Sequence, residues 1–446
     1  MSLDRLPELA SFESHAEGVR IPPGITVPLT PRVRQLLDTA EMRRLARVGQ
    51  LGLVALVYPG ATHGRLEHSL GVYRLALEFL ARLRHEPRFA ATVDESDAAA
   101  FVVAALVHDV GHWPYCHPIE DVGLPHVPRH EALVHDILSQ GEPAAVLERS
   151  WGIDPGRVAA LITGTASDPA GRILHSLLSG PIDVDKMDYL RRDSLHAGVP
   201  YGLHFDEDRL LSSLCLDRHG TGLAITDKGR TAAEMLVFAR YVMFSEVYWH
   251  HAVRSATAML QRAIWRLRDR IDPWRFVRLD DHGFVAALKQ SAAGTPAATL
   301  VDGLFGPRRV LYKRVASFDA LRHPEIHRAL AGRGYDEKVA VAERLAAACG
   351  GAEVCDLLID APPMEREVEF RLSVRERMRG DSPAEEFVWT SFGDLSPVVR
   401  SLAHEQFDDL VKRVRIFAPP HVAPALARRP DLERIILEVA GRPERR

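Results

Sequence analysis

The sequence is poor in cysteine, has no long apolar run and carries no excess of positive charge. Its 446 residues include four cysteines, and none of them forms a Cys-x-x-Cys pair, so neither a disulfide framework nor a zinc knuckle is indicated. No run approaches the roughly 18 apolar residues of a membrane span. A formal net charge of -4 argues against a protein whose whole surface binds nucleic acid.

The N-terminus also lacks a basic segment followed by an apolar one, which would mark a secretory signal. With 46% hydrophobic residues, the composition is that of an ordinary globular protein, and the length suits two or three domains. The scattered cysteines fit a reducing compartment. We therefore predict a soluble, cytoplasmic protein without a membrane partner.

One stretch organises the chain: seven apolar residues, 101–107, lead directly into the pair His108-Asp109. A helix that is apolar all round is normally buried, and a carboxylate at its end is costly unless it is paired or bound to a cation. Gly111 and Pro114 allow the chain to turn away after the pair. The stretch therefore predicts a buried helix that ends in metal ligands.

A His-Asp pair also arises by chance, so the interpretation depends on partners elsewhere in the chain. His68 lies upstream, in the first turn of a predicted helix, and four aspartates lie between Asp183 and Asp193. Two imidazoles and two carboxylates suit Mg, Mn, Fe or Zn and select none of them strongly. Within the acidic run we expect Asp183 to cap a helix and Asp188 to be a solvated charge.

The organisation of the chain follows from periodicity and breakers. We predict an N-terminal arm at 1–29, a helical catalytic core at 30–271 that includes one long helix over roughly 229–270, and an accessory region at 272–446. A small hairpin is expected near 210–226. The accessory region mixes helices with strand-like runs at 309–315, 354–359, 368–372 and 410–417.

Several motifs follow one another between residues 35 and 260. They are Gln50-Leu51-Gly52, Tyr58-Pro59-Gly60 with Arg65 and His68, His108-Asp109 with His112 and His117, His130-Glu131, Asp183 to Asp193, and Arg240 with Tyr248. This ordered set resembles the HD-domain phosphohydrolases, and within them the deoxynucleoside triphosphate triphosphohydrolases, being similar to the catalytic core of the sterile-alpha-motif/HD-domain enzymes.

The resemblance implies a mainly α fold: an HD-domain helical core with small hairpin insertions and an α+β C-terminal accessory region. It also implies roles for particular residues. The metal ligands would be His68, His108, Asp109 and Asp185. The residues around the reacting phosphate would be His112, His117, Glu120, His130 and Glu131, with His117 protonating the leaving oxygen. The substrate-binding residues would be Gln50, Leu51, Arg65, Lys186, Tyr189, Asp193, Arg240 and Tyr248.

The resemblance thus implies a metal-dependent enzyme that cleaves dNTPs to deoxynucleoside and inorganic triphosphate without a nucleophilic side chain. Two alternatives remain open. One is an HD phosphohydrolase that acts on another nucleotide or phosphate ester. The other is a nucleotide-sensing or nucleic-acid-binding HD protein, for which arginine-rich segments such as 375–379 would be the contact.

The resemblance further implies a homo-oligomer, a dimer or tetramer, with a possible nucleotide activator at subunit contacts. Arg43 and Ala46 stand where the animal relative has the pair of residues that binds a guanine nucleotide activator. We therefore expect that GTP alone is not the required activator, and that a dNTP or no activator supports turnover.

Overall fold

The structure is a computed structural model that describes residues 3–14, 18–350, 356–361, 372–377, 387–402 and 409–441. Helices dominate it. Those before residue 200 are α1 (Pro7–Glu13), α2 (Pro31–Leu37), α3 (Ala40–Leu45), α4 (Arg65–Leu83), α5 (Pro87–Thr92), α6 (Glu95–Val107), α7 (Cys116–Glu120), α8 (His130–Gln140), α9 (Glu142–Val146), α10 (Pro155–Thr163), α11 (Pro169–Leu178) and α12 (Val184–Ala197).

The second half of the chain continues the helical pattern. Its helices are α13 (Glu207–Ser212), α14 (Arg230–Met243), α15 (His251–Leu267), α16 (Pro273–Phe276), α17 (Asp281–Ala292), α18 (Ala298–Phe305), α19 (Pro324–Leu330), α20 (Tyr335–Cys349), α21 (Phe392–Leu395), α22 (Pro397–Ser401), α23 (Ala423–Ala427) and α24 (Leu432–Ala440).

Nine short strands form three small sheets within the described residues. They are β1 (Gly18–Ile21), β2 (Ile25–Pro28), β3 (Leu214–Leu216), β4 (Leu223–Thr226), β5 (Lys313–Phe318), β6 (Leu358–Asp360), β7 (Ser373–Arg377), β8 (Phe387–Ser391) and β9 (Val414–Ala418). The sheets run β1-β2, β3-β4-β7-β8 and β5-β9-β6. The predicted fold class, mainly α with an α+β C-terminal region, is confirmed.

Helix α6 is the centre of the core. Its first turn is capped by the Asp94 carboxylate, which accepts a hydrogen bond from the Asp97 amide at 2.9 Å. Every residue from Ala98 to Val107 is buried, because α4, α10 and α11 pack around the helix. The apolar run is thus a buried core helix, as predicted, and none of the described helices is long and apolar enough to cross a membrane.

Helix α12 begins where the aspartate cluster begins. Oδ1 of Asp183 accepts a hydrogen bond from the Lys186 amide at 2.6 Å, so Asp183 is the N-cap, as predicted. The helix ends at Gly198, whose φ of 71° lies in the left-handed region that glycine adopts without strain. Because α12 packs against α4, the first turns of these two helices come together.

The predicted long helix over 229–270 is wrong as a single element. Helix α14 passes into a wide π-type turn at Phe244–Tyr248, and the chain leaves helical geometry at His250 (ψ 136°) before α15 begins. The His250 side chain accepts a hydrogen bond from the Ala252 amide at 3.3 Å and so caps α15. No proline or glycine marks this break, and the wide turn directs Tyr248 toward a buried carboxylate, a common use of such turns.

The C-terminal strands return to the core. Strand β7 pairs with β4 in parallel, with Val374 opposite Ile225, and Val374 and Phe392 belong to the same hydrophobic cluster as α6. Three of the four predicted strand runs overlap β5, β6 and β9; of the fourth, 368–372, only the last residue lies within the described residues. The division of the chain at residue 272 remains a prediction.

Candidate metal and active site

Three helix termini meet at one point in the core. His68 lies in the first turn of α4, Asp185 in the first turn of α12, and His108 directly after α6. Nε2 of His68 lies 3.2 Å from Nε2 of His108 and 3.0 Å from Oδ1 of Asp185. The ligand atoms of all three residues lie within 4.8 Å of one another. The fold thus brings together two imidazole nitrogens and a carboxylate that are far apart in the sequence.

The orientation of both imidazoles fits a cation at this point. Nδ1 of His68 lies 2.8 Å from a carboxylate oxygen of Asp188, and Nδ1 of His108 lies 2.9 Å from the carbonyl oxygen of Ala105. When each Nδ1–H donates to its acceptor, each Nε2 carries a lone pair. The two lone pairs then face each other at 3.2 Å, an arrangement that a cation between them would stabilise.

The charges around His68 support the same conclusion. Burial lowers the pKa of His68, but its hydrogen bonds to Asp185 and Asp188 outweigh burial and raise the pKa to about 10. The surrounding carboxylates therefore favour positive charge at the cluster. The predicted cofactor, a divalent metal ion, fits this donor set, and the mixed nitrogen and oxygen ligands leave its identity open.

Asp109 lies beside the three-residue group. One of its oxygens is 3.5 Å from Nε2 of His108, and the other accepts a hydrogen bond from Nη1 of Arg65 at 2.8 Å. Burial would raise the pKa of Asp109, but the positive charge of Arg65, which is hydrogen-bonded to it, helps to hold this pKa well below its usual range. Asp109 is therefore ionised and is shared between the metal group and a buried arginine.

A cleft of about 350 Å³ opens onto this cluster. Predicted site residues form most of its wall: Gln50, Arg65, His68, His108, Asp109, His112, His117, His130, Glu131, Asp185 and Tyr189. Val134, Ile162, Leu178 and Ser179 also line it and were not predicted. The other predicted residues, Leu51, Glu120, Lys186, Asp193, Arg240 and Tyr248, do not line the cleft.

Three further histidines form a second group on one side of the cleft. The ring centroids of His112 and His130 are 4.1 Å apart, and those of His117 and His130 are 4.9 Å apart. Glu120 orients His130. Its carboxylate lies 3.0 Å from Nδ1 of His130 and accepts a hydrogen bond from the His130 backbone amide at 2.8 Å. Burial and the charge of Arg65 lower the pKa of His112 well below its usual range, so this imidazole is neutral.

Two of the cations among the predicted substrate-binding residues, Lys186 and Arg65, are held by carboxylates. Nζ of Lys186 donates to the buried Asp183 at 2.6 Å, while Arg65 is buried and bonded to Asp109. Nε of Arg65 is also buried and has no hydrogen-bond partner among the described residues. The Arg65 side chain also lines the cleft, so its positive charge faces a ligand bound there.

Two more of the predicted substrate-binding residues, Asp193 and Tyr248, form a hydrogen-bonded set with His63. The Tyr248 hydroxyl donates to Asp193 at 2.7 Å, and Nε2 of His63 lies 3.0 Å from the other Asp193 oxygen. Burial raises the pKa of Tyr248 well above its usual range, so its hydroxyl remains a donor. The ring of Tyr189 lies edge-on to that of Tyr248, with centroids 6.4 Å apart. The break after α14 is what points Tyr248 toward this set.

Comparison with known proteins accounts for this combination of helices and ligands. A family model described as HD domain matches residues 65–146, and a second, described as HD associated region, matches residues 205–435. The chain belongs to the HD-domain family. The HD-domain match contains His68, His108-Asp109 and the histidine group, while Arg240 and Tyr248 lie in the HD-associated region.

The relatives of this HD-domain protein include uncharacterized proteins and deoxynucleoside triphosphate triphosphohydrolases. The protein YwfO of Bacillus subtilis is 34% identical over 56% of this chain and 53% of its own length. An uncharacterized protein of Methanocaldococcus jannaschii is 28% identical over 86% of this chain and 71% of its own length. The deoxynucleoside triphosphate triphosphohydrolase SAMHD1 of Homo sapiens is 25% identical over 55% of this chain and 44% of its own length. The chain thus spans about half the length of several curated relatives.

Solved structures extend the similarity over nearly the whole chain. A hypothetical protein from Aquifex aeolicus is 26% identical, with a TM-score of 0.70 over 92% of this chain and 98% of its own. A phosphohydrolase from Bacteroides thetaiotaomicron has a TM-score of 0.65 over 90% of this chain and 99% of its own. Because the two sequences are only 21% identical, this similarity shows the fold alone. The fold of nearly the whole chain therefore occurs in other solved proteins.

Sequence reasoning missed two polar residues that support the site. Asp188 was expected to be a solvated charge, and this is wrong: it is 7% exposed and lies between His68 and Arg192. His63 was not singled out, although it is buried against Asp193 and stacks on His196 with ring centroids 4.3 Å apart. The signal for Asp188 was its place one turn after Asp185, which puts both carboxylates on one face of α12.

Arg44 was also missed, and it holds the loop that carries His112. Its Nη2 donates to the carbonyl oxygens of Val110 at 3.0 Å and His112 at 2.8 Å. The loop that follows α6 is therefore hydrogen-bonded to α3 through Arg44. The signal available in the sequence was weak, because arginines are abundant in this segment.

We expect Arg44→Ala to lower the free energy of unfolding by about 1–3 kcal/mol and to reduce kcat more than it changes KM. The substitution leaves two loop carbonyls without their donor and releases the loop around His112. Thermal melting and steady-state kinetics check this, with Arg34→Ala, an exposed arginine on α2, as the control. Unchanged stability together with unchanged kcat would contradict the role assigned to Arg44.

Proposed function

We propose that this HD-domain hydrolase cleaves dNTPs to deoxynucleoside and inorganic triphosphate. The observation that carries the proposal is one cleft lined by the His68, His108 and Asp185 group, by Arg65, by the histidine group and by Gln50. A triphosphate requires a cation and positively charged side chains, and its leaving oxygen requires a proton donor; this cleft contains residues for each. Similarity to deoxynucleoside triphosphate triphosphohydrolases of Dictyostelium discoideum, Danio rerio and Homo sapiens, at 25–28% identity, supports the same activity.

The metal would be held by His68, His108 and Asp185, with Asp109 beside them. A bound divalent cation supplies Lewis acidity, which polarises phosphate oxygens and lowers the pKa of water. Arg65, which lines the cleft, would bind a phosphate oxygen, because arginine donors match phosphate geometry. Lys186, already oriented by Asp183 at 2.6 Å, would add a second positive charge.

His117 would protonate the 5′-oxygen of the departing deoxynucleoside. Its side chain is 59% exposed at the cleft wall, so it can reach a bound ligand and exchange its proton with water. Burial and the charge of Arg65 lower the pKa of His117 to about 4, and the negative charge of a bound triphosphate would raise it toward the neutral range in which a general acid works. Glu120 and His130 would keep the neighbouring wall of the cleft in place. Glu131 lies 3.4 Å from Nε2 of His130 and would form the next part of this wall.

The sugar would lie against Gln50 at the cleft wall, and Leu51 and the Asp193–Tyr248 pair, which do not line the cleft, would support Gln50 and Tyr189 there. Oε1 of Gln50 is buried and, within the described part of the chain, accepts no hydrogen bond. A deoxyribose hydroxyl would be a suitable donor for it. Leu51 presents an apolar side chain next to Gln50, and an apolar wall disfavours the 2′-hydroxyl of a ribonucleotide, because burying an unpaired hydroxyl is costly.

We expect deoxyribonucleotides to be hydrolysed in preference to ribonucleotides, and we expect Leu51→Ala to narrow this preference about tenfold. One unpaired buried hydroxyl is worth roughly 1–3 kcal/mol. The ratio of kcat/KM for dATP and ATP measures the effect, with Leu37→Ala on α2 as a control that leaves the cleft intact. Equal hydrolysis of dATP and ATP by the wild-type protein would instead favour an HD phosphohydrolase of broader specificity.

The deciding experiment incubates metal-loaded protein with each dNTP and NTP, singly, mixed and with GTP, and identifies the products by chromatography. Deoxynucleoside plus triphosphate supports the proposal, whereas diphosphate and phosphate would contradict it. Light scattering in the same samples tests the proposed homo-oligomer. Strict dependence on GTP would contradict the expectation drawn from Arg43 and Ala46. Salt-dependent DNA binding without any turnover would favour the nucleic-acid alternative.

A further inference from the structure

We propose a second metal site in this protein, formed by His112, Cys116, His117 and His130, which takes Zn²⁺ or another thiophilic divalent cation and blocks the cleft. The ligand atoms of these four residues lie within 4.8 Å of one another. The site shares no residue with the His68, His108 and Asp185 group. Its inhibitory effect rests on the proposed function, whereas the binding of the ion does not.

The fold assembles these ligands from two short helices and the loop before them. Tyr115 has a left-handed conformation (φ 56°), which turns the chain sharply into α7. The turn places Cys116 at the start of α7, with its thiol buried at 1% exposure, while His117 lies at the cleft wall. His130 reaches the same place from the first turn of α8. The cysteine and three histidines therefore form one group without a Cys-x-x-Cys motif.

A carboxylate orients one of the histidines as a ligand. Nδ1 of His112 lies 3.1 Å from Oδ1 of Asp109 without a hydrogen bond between them, whereas Nδ1 of His130 is hydrogen-bonded at 3.0 Å to Oε2 of Glu120. A metal-binding histidine characteristically donates its other ring N–H to a carboxylate. Nε2 of His130 is then the ligand atom. Nδ1 of His117 lies 3.9 Å from the same Glu120 oxygen, so a small rotation of this exposed ring would orient it in the same way.

The dimensions and chemistry suit zinc. Bonds of about 2.0–2.3 Å in a tetrahedral site place ligand atoms roughly 3.3–3.8 Å apart, so the group needs to contract only slightly around an ion. One thiolate and three imidazoles form a soft ligand set that favours Zn²⁺ over Mg²⁺. On binding, the Cys116 S–H proton leaves to solvent and the sulfur forms the bond to the ion, with no change in oxidation state.

Occupation of this site would stop catalysis by removing the proton donor. His117 would be bound through the nitrogen that otherwise serves the leaving oxygen, and His112 and His130 would be drawn away from the phosphate. The His68, His108 and Asp185 group would keep its own ion. We therefore expect that zinc in excess of one ion per chain inhibits, and that a chelator of moderate affinity restores activity.

The test uses Co²⁺ as a spectroscopic probe on the full-length, metal-free protein. Co²⁺ bound to a thiolate produces a charge-transfer band in the near ultraviolet, whereas a site made only of histidine and aspartate does not. We expect the band in the wild-type protein and in His108→Ala, with metal content by mass spectrometry one ion lower in the latter. Absence of the band in the wild-type protein, or its loss in His108→Ala, would overturn the proposal.

Cys116→Ser and Cys215→Ser form the matched pair, because both replace a buried thiol and only the first lies at the site. Cys116→Ser should lose the band, and its half-inhibitory zinc concentration should rise more than about tenfold. Replacing a residue that only hydrogen-bonds to a metal ligand already lowers metal affinity by about 10–100-fold. Cys215→Ser should retain both properties. His130→Gln, which leaves the thiol in place, should weaken the band if Cys116→Ser folds poorly.

A band that persists in Cys116→Ser, or disappears in Cys215→Ser, would overturn the assignment. Failure of the proposed function is recognised separately. If no dNTP is hydrolysed, the absorption band and the metal content still decide whether the second site exists.

Discussion

His108→Ala is expected to lose one bound metal ion per chain and to abolish dNTP turnover. Nε2 of His108 lies 3.2 Å from Nε2 of His68 and 3.7 Å from Oδ1 of Asp185, so the substitution removes one of three closely grouped ligands. The remaining residues would hold an ion at least about a hundredfold more weakly. Replacing a residue that only hydrogen-bonds to a metal ligand already lowers metal affinity by about 10–100-fold.

Metal content after dialysis and initial rates measure this prediction. His135→Ala is the matched control, since His135 lies on α8 with a side chain that is 69% exposed. Melting temperatures with and without added metal separate loss of the ion from loss of the fold, because an ion that binds only the folded state raises the melting temperature. Full metal content with normal turnover in His108→Ala would rule out the site.

His117→Gln is expected to retain the metal ion and to lower kcat by about 10²–10⁴, the usual contribution of a general acid. Glutamine keeps a similar length and hydrogen-bonding capacity but cannot supply a proton. KM should change little, because the side chain is 59% exposed and Arg65 and Lys186 would still hold the triphosphate.

A substrate analogue tests the role of His117 directly. In a dNTP whose 5′ bridging oxygen is replaced by sulfur, the leaving thiolate needs no proton, so the wild-type protein and His117→Gln should hydrolyse it at similar rates. Glu131→Gln, at a neighbouring position with a 55% exposed side chain, is the comparison. If the analogue shows the same loss as the natural dNTP, His117 serves to position the substrate and is not the acid.

Much of the local structure could be predicted because it depends on neighbouring residues. The apolar run before His108 predicted a buried helix, and Asp183 predicted a cap, since both are decided within a turn or two of helix. The break after α14 could not be predicted in this way. The segment 244–250 contains no proline or glycine, and its π-type turn accompanies the bond between Tyr248 and Asp193, a contact across 55 residues.

Asp188 shows the same limit at the site. Its sequence neighbours are charged and polar, which is typical of a solvated helix face, yet packing of α12 against α4 buries it between His68 and Arg192. The place of Asp188 one turn after Asp185 shows that both carboxylates share a face of α12 but not whether that face is buried, because burial depends on which face another helix covers.

The sequence by itself determined the mainly helical fold, the helix that ends in His108-Asp109, the cap of α12 and the resemblance to the HD-domain family, all of which depend on periodicity and ordered motifs. Only the tertiary structure decided which polar groups are partners: Asp188 with His68, His63 with Asp193, and Cys116 with three histidines. The physical reason is that burying a polar group requires a partner, and helices that are distant along the chain supply that partner only when they pack.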